Sequence, residues 1–455
     1  MYDLATTALP VGNVTRVRAL GGTTNVWWGG SALLEEIDVA PRPWLGVPGW
    51  PLGRDELLPF YARGCRILGI PDLTEVRTDR FRDGKGFLVQ TEDLGVATLY
   101  WPRRALRFSD ALGRAARLDR GLDPYLFAHV TRLVPTADRG AVESVEVRTL
   151  AGGTFTVRPG VVVLACGGIE NARLLLASAA DAGGGFGNDR DVVGRYYMDH
   201  PKGVLGRITL DPARATLLHP GYWDSRPGRF RLGIRLSPTR QEDEGLLDAY
   251  LRFHPVLTTE GSGTEALRAL RRHPASAVRS RAVMRDLVAG MPDLARFARF
   301  KITNRGSVGS AEIHNFLEQA PRPENRVTLS DRVDRFGTPL PQLTWSIDER
   351  ERQTIRRLHA LLDVDLRRRG FGAVDGPLIS GDDEPWGIDG DASHHMGTTR
   401  MGDDPSTSVV DRTCRVHGLT NLYVAGSSVF PTAGYANPTL TIVALALRLA
   451  DHLAD

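Results

Sequence analysis

Apolar and polar positions alternate in three short runs, "LFAHVTRLV" (126–134), "VESVEVRTL" (142–150) and "GTFTVR" (153–158), separated by the turn signals "DRG" and "AGG". A period of two with that punctuation predicts a small antiparallel meander. The rhythm then changes. "GVVVLACGGIENARLLLASA" (160–179) is a continuous apolar strand, a Gly-Gly turn and a helix with Glu170 in its first turn. That order is the unit whose helix N-terminus favours anionic or dipolar ligands. "RDELLPFYARGCRILG" (54–69) and "RALRFSDALGRAARLD" (104–119) read as helices, and a later amphipathic helix sets Ile355, Leu358, Leu362 and Leu366 on one face. Strand-like runs fill 206–256, and "AEIHNFLEQAP" with "NRVTLSDRVDRFGTPLPQLTW" reads as a second meander. Near the end, "LTNLYVAGSSVFPTAGYANPTLTIVALALRLADHL" is strand, long turn and helix, with Asn437 as N-cap and Pro438 in the first turn. Strand–helix units in two separated places, with meanders between, predict an α/β nucleotide-binding core interrupted by a sheet-rich second domain.

Length and composition narrow the class. A chain of 455 residues buries a large core in two or three domains. A formal charge of +3 is too small at this size for a nucleic-acid footprint. Lysine occurs only at Lys85, Lys202 and Lys301, so nearly all positive charge is arginine. Cys65, Cys166 and Cys414 are odd in number and far apart, which gives neither a disulfide framework nor a metal spacing and suits a reducing compartment. The longest apolar runs, 161–166 and 441–447, are too short to span a bilayer, and the first residues lack the features of a signal peptide. The expectation is a cytoplasmic protein without membrane contact. From Arg268 to Arg305, ten basic residues face two acidic ones with apolar positions interspersed, which reads as a solvated helical pair rather than a membrane or partner surface.

Candidate chemistry centres on "SHHMGTTRMG" (393–402). His394 and His395 are adjacent and have no HExxH motif or acidic cluster to complete a metal set. A general base and a satisfied loop residue remain open for each. The wider stretch from His394 to Leu453, with "HxxGTxRMG" and "PTAxxANPTLT" pieces, resembles the C-terminal signature of the glucose-methanol-choline (GMC) flavoprotein oxidoreductases, and within them pyranose oxidase-like members. "GGTTNVWWGG", "FAHVTRLV", "VVVLACGGIENARLLL", "VGRYYMDHPKG" and "NRVTLS" stand in the family's order.

The resemblance implies FAD-dependent oxidation of an alcohol on a sugar or polyol-like substrate, with oxygen, a quinone or a protein as electron acceptor. By it, His394 takes the alcohol proton and Asn437 holds the substrate oxygen, while His395 is a structural or pocket-wall residue. Gly21, Gly22, Thr23 and Asn25 are expected along the cofactor, Val130 at adenine, and Cys166 and Gly167 at the strand end beneath the dinucleotide. Gly426 and Ser427 are expected near the pyrophosphate or ribityl chain, where Ser427 donates a hydrogen bond, and Pro438 and Thr439 at the flavin through their helix N-terminus. Trp28, with Trp27, is placed at the pocket wall or in the core, and Cys166 is expected to be an inert buried thiol.

The chain departs from the family's pattern in one large respect. It contains no GxGxxG, and "RALGGTTNVWWGG" already begins at residue 18, so the expectation is a truncated form of a longer flavoprotein. The other reading is a flavin-free homologue acting as a binding or assembly subunit through residues 268–305. Where pyranose oxidase carries its flavin-linked histidine this chain has Val26, so the FAD is expected to be non-covalent. The flavin-binding part is expected from residues 1–35, 103–205 and 384–455, and the substrate part from 36–102 and 206–383.

Overall fold

The computed structural model describes residues 5–6, 16–76, 91–117, 121–178, 186–211, 222–225, 228–257, 263, 266–267, 269–270, 280–292, 294–295, 298, 308–381, 386–388, 390 and 393–455. The main elements are, in order, β1 (Ala5–Thr6), α1 (Arg54–Leu68), β2 (Leu94–Pro102), α2 (Phe108–Arg117), β3 (Ala128–Pro135), β4 (Val142–Thr149), β5 (Thr154–Val157), β6 (Val162–Leu164) and α3 (Glu170–Ala177). β7 (Lys202–Leu210), β8 (Tyr222–Ser225), β9 (Gly228–Leu236), α4 (Pro238–Glu244), β10 (Ala249–Leu257) and β11 (Val308–Leu317) follow. Then come β12 (Arg326–Val333), β13 (Pro339–Thr344), α5 (Glu349–Arg368), β14 (Gly372–Asp375), β15 (Leu422–Val424) and α6 (Thr439–Ala454).

The first meander forms as expected, β3 against β4 and β4 against β5, all antiparallel. β6 and β15 pair in parallel, Val162 with Leu422 through Leu164 with Val424. Each runs through a glycine-bearing turn toward a helix, α3 or α6. Parallel strands whose turns open at one end are the part of an α/β fold where ligands collect. The fold is α/β.

The larger sheet runs β14-β7-β11-β10-β9-β2, with β8 on the far side of β9. One of its faces packs on α5, whose Ile355, Leu358, Leu362 and Leu366 are all fully buried, as the 3.6-residue period requires. Asp348 caps α5 and closes a capping box with Glu351. The expected second meander does not form. β11 joins the large sheet between β7 and β10, whereas β12 pairs with β13, and β13 with β1. A period of two identifies a strand without naming its neighbour. α4 was not expected either, although Ser237 accepts the Arg240 N–H as N-cap, Pro238 follows it and Gly245 ends the helix in left-handed conformation. Part of segment 268–305 lies outside the described residues; within it, Arg281–Ala289 is a helix with no buried residue.

Arg42 and Glu318 join the loop before α1 to the end of β11. Their guanidinium and carboxylate meet in two bonds of 2.7 and 2.5 Å with both side chains wholly buried. The carboxylate also accepts the Asp248 N–H at 2.9 Å and the Gly434 N–H at 3.1 Å. Arg42→Met would strand this carboxylate in a dry site, and we expect a loss of about 3–5 kcal/mol in chemical denaturation. Because two backbone donors also depend on Glu318, the double change Arg42→Met with Glu318→Leu should fail to recover that loss.

Candidate active site

Two segments from distant parts of the chain form a short antiparallel ribbon. Met198 and Met396 exchange backbone bonds of 3.0 and 2.9 Å, and Lys202 and Gly390 bonds of 2.7 and 3.1 Å. In that register His200 and His394 lie directly opposite each other. The buried Asp199 carboxylate fixes both, with Oδ1 accepting the His200 N–H at 2.6 Å and the His394 N–H at 3.1 Å. Next along the chain, residues 397–401 bond to 427–429 through Gly397, Thr399 and Met401 N–H groups, which carries the histidine segment to the turn after β15.

The hydrogen bonds determine the tautomers. His200 Nε2 lies 2.9 Å from the Gly434 carbonyl, which can only accept, so Nε2 carries the hydrogen. Burial pushes the His200 imidazole down to about 4, so at neutral pH its Nδ1 is a bare acceptor. His394 Nδ1 lies 2.8 Å from that atom and therefore donates to it. His394 is held well below the ordinary histidine range by burial first, then by His200, Lys202 and His395. Its Nε2 is consequently a lone pair, and Asn437 Nδ2 lies 3.2 Å away as a donor. His394 and Asn437 are thus brought together as the resemblance implies. Asn437 does not cap α6 with its side chain, because the amide is turned to His394.

His395 is buried, with Nε2 lacking a hydrogen-bond partner, and burial pushes its imidazole down to about 3. It packs under the turn after β6, where a Cβ on Gly168 would lie 2.1 Å from its carbonyl oxygen. Asn171, at the start of α3, ties the two strand-end turns together. Its side chain accepts the Cys166 N–H at 2.7 Å and donates to the Ala425 carbonyl at 3.0 Å and to Ser428 Oγ at 2.9 Å. Asp199, His200, Asn171 and Glu318 are missed by the sequence reading. His200 and Asn171 lie inside resembling motifs, but their roles come from register across the chain.

The residues expected at the cofactor gather around these turns. The loop 16–25 reaches α3 through Arg16 and Arg18, which bond Glu170 at 3.2 and 2.5 Å. Gly22 and Gly167 have positive φ and nothing within 4 Å of an added Cβ, so an open surface lies beside them. Gly21 is needed for packing, since its Cβ would lie 2.3 Å from Ser109 N. Thr23 Oγ1 accepts a long bond from Val17 N, and Asn25 donates to the Leu20 carbonyl. Gly426 is strained open at φ 109° beside Asn171. Pro438 and Thr439 begin α6.

Three expectations need correction. Ser427 donates its only hydroxyl hydrogen to the His395 carbonyl at 2.7 Å, so that group is not free to donate to a cofactor. Cys166 is an exposed thiol rather than a buried one. Trp28 is 85% exposed and not core, whereas Trp27 donates to the Leu106 carbonyl and packs on the core.

This surface suits a flat dinucleotide. Val130, Val161, Val163 and Trp28 present exposed apolar atoms, and the half-buried Arg16 keeps Nε and Nη2 without a partner among the described residues.

The GMC oxidoreductase family profile matches residues 321–446. That part of the chain carries the C-terminal signature of the GMC oxidoreductases. They are FAD-dependent enzymes. Among curated relatives, the chain is 27% identical over 482 residues to paromamine 6'-oxidase of Streptomyces fradiae, covering 96% of this chain and 78% of that one. It is 29% identical over 300 residues to the fructose dehydrogenase large subunit of Gluconobacter japonicus, covering 64% of this chain and 47% of that one. The structure of pyridoxine 4-oxidase from Mesorbium loti superposes with a TM-score of 0.53 at 18% identity, over 96% of this chain and 84% of the other, a likeness of fold. No helix among the described residues is long and apolar enough to cross a membrane.

The tautomer chain is open to direct measurement. Nitrogen-15 spectra of the histidine rings should show His200 protonated at Nε2 and neutral from pH 8 to 5, with a midpoint near 4. The unfolded chain binds that proton near 6.5, so His200 contributes stability above that pH and loses it as pH falls toward 4. The stability gap between wild type and His200→Gln should therefore shrink from pH 7 to 4. A His200 midpoint near 6.5 would contradict the assignment.

Proposed function

We propose that this chain is a GMC oxidoreductase that oxidises an alcohol group on a sugar or polyol-like substrate, with His394 as the base. The observation that carries the reading is the His394–Asn437 contact, because tautomer and burial together leave a bare imidazole nitrogen facing a side-chain donor. Relatives named for oxidising paromamine and dehydrogenating fructose support the substrate class.

An alcohol yields hydride readily only as its proton leaves, so a base in hydrogen-bond reach speeds the step by roughly two to four powers of ten. The substrate hydroxyl takes the place of the direct His394–Asn437 contact, donating to Nε2 and accepting from the Asn437 amide. Asn437 then fixes the direction of the C–H bond. His200, through Nδ1, accepts from His394 Nδ1–H and stabilises the imidazolium that forms. His200 is a positioning residue, because it acts on the substrate only through His394.

FAD, when bound, supplies the hydride acceptor. Gly22, Gly167 and Gly426 would hold it at the strand-end turns, Val130 and Trp28 would contact its flat parts, and the helix N-terminus at Pro438–Thr439, through the Thr439 N–H, would face its anionic edge. We take residues 1–35, 103–205 and 384–455 as the flavin-binding part and the rest as the substrate part. The sharing of one sheet by β2, β8, β9, β10, β11, β14 and β7, which enters from the flavin-binding part at Lys202, supports that division. Oxygen, a quinone or a protein then reoxidises the enzyme.

The test is anaerobic flavin bleaching by sugars and polyols, followed at the visible flavin bands. His394→Ala should retain bound flavin and lose the bleaching rate by at least about 100-fold, and Asn437→Ala should lose about 10-fold or more. Because His394 protonates well below 6.5, the wild-type rate should stay level from pH 8 to below 6. Full turnover by a flavin-loaded His394→Ala protein would remove His394 from the chemistry.

A further inference from the structure

The large sheet turns one face to α5 and the other toward the His394–Asn437 pair. On β11, Ala311 and Ile313 are wholly buried in the α5 core, which places Glu312, His314 and Phe316 on the opposite face. The strand registers extend that face sideways. Lys202 of β7 and Tyr250 of β10 both lie opposite Phe316, and Arg252 of β10 lies opposite His314.

Rings and cations alternate on this surface. Tyr250 stacks on Phe316 at 4.7 Å, and the Arg252 guanidinium lies over the same Phe316 ring at 4.9 Å. His254 stacks on His314 at 3.9 Å, and Arg231 lies over Trp101 at 4.5 Å. The line of rings leads to the reaction centre, since Tyr250 meets Tyr435 edge-on at 5.6 Å, two residues before Asn437. Lys202 reaches the centre from the other side. It follows His200 by two residues along the ribbon, so both side chains project from the same side.

The positive charges here are not cancelled on the spot. Arg235 is bound to Asp248, and Glu312 sits opposite Arg207 across the register with β7. Among the described residues Lys202 and Arg252 have no ion pair, and Arg252 Nε is buried without a hydrogen-bond partner. Two cations on a half-buried, ring-lined face repel each other and are incompletely solvated; an anion between them relieves both. They stand on strands either side of β11 and two residues apart in register, about 12 Å between Cα atoms by strand spacing and rise, a span their long side chains narrow to one a single sugar ring and its substituents can bridge.

We propose that Lys202 and Arg252, flanking the Phe316 ring, form an anion-recognising subsite, so that the alcohol oxidised belongs to an acidic polyol such as a sugar acid or sugar phosphate. This rests on His394 and Asn437 marking the reaction centre. A cationic amino sugar is disfavoured by the same two charges.

The test is isothermal titration of the flavin-supplied full chain with glucuronate, glucose 6-phosphate, glucose and glucosamine. At least one of the two anions should bind about tenfold more tightly than glucose, with glucosamine weakest, and the advantage should fall as salt is raised to about 0.3 M. Lys202→Gln and Arg252→Gln should each remove most of that advantage while leaving glucose binding unchanged. Lys202→Arg should keep it, and Lys202→Glu should move the preference toward glucosamine. Whichever of glucuronate and the phosphate gains more identifies carboxylate or phosphate as the group recognised. Equal binding of glucose and both anions by the wild type overturns the subsite, as does a loss in Lys202→Gln that affects glucose and anions alike in a protein with wild-type circular dichroism. Flavin bleaching separates the two readings. Tight anion binding without bleaching keeps the subsite and removes alcohol oxidation; bleaching that is equally fast with glucose and glucosamine does the reverse.

Discussion

A carboxylate that never meets water sets the geometry on which the rest of the site depends. Glu318 holds Arg42 with both oxygens and still accepts the backbone N–H groups of Asp248 and Gly434. Burial of an ion pair alone contributes little to stability, but here each bond also fixes a different segment in place. Gly434 is thereby held with its carbonyl toward His200 Nε2. The orientation passes from that carbonyl through two imidazoles to the nitrogen facing Asn437. Nearby, burial and the neighbouring carboxylates raise Asp38 to about 8, so it is protonated at neutral pH and adds no further charge to the group.

The proposed base is neutral because of where it sits rather than because of a partner acid. Burial dominates for His200, His394 and His395 alike, and the positive charge of Lys202 adds to it at His394. Asp199, although close, bonds the backbone N–H groups of the two facing histidines rather than the paired ring nitrogens. The arrangement therefore keeps lone pairs available where a buried acid–histidine pair would favour an imidazolium.

Much of this was legible along the chain, and the exceptions share a cause. Alternation located β3, β4 and β5, and the 3.6-residue spacing of Ile355, Leu358, Leu362 and Leu366 located the buried face of α5. His394 and Asn437 could be named from motif resemblance, and they are in contact. What the chain does not spell out is pairing between distant segments. β11 reads as a strand in any sheet, and only its partners place it beside β10 and β7. His200 and Asn171 have the same limitation, because their meaning lies in what they face. The apparent N-cap at Asn437 misled for a related reason: an asparagine before a proline-led helix fits a local role, yet a tertiary partner has claimed its amide.

The His200–His394 contact spans 194 residues of sequence. During synthesis, β7 and the strands around it emerge long before their partner histidine, and neither imidazole has its neighbour until the segment after residue 393 has left the ribosome. The reaction centre is thus among the last features of the molecule to assemble, a slow closure of a very long loop rather than a local event. A chain halted short of that point can hold much of its secondary structure and still be chemically silent.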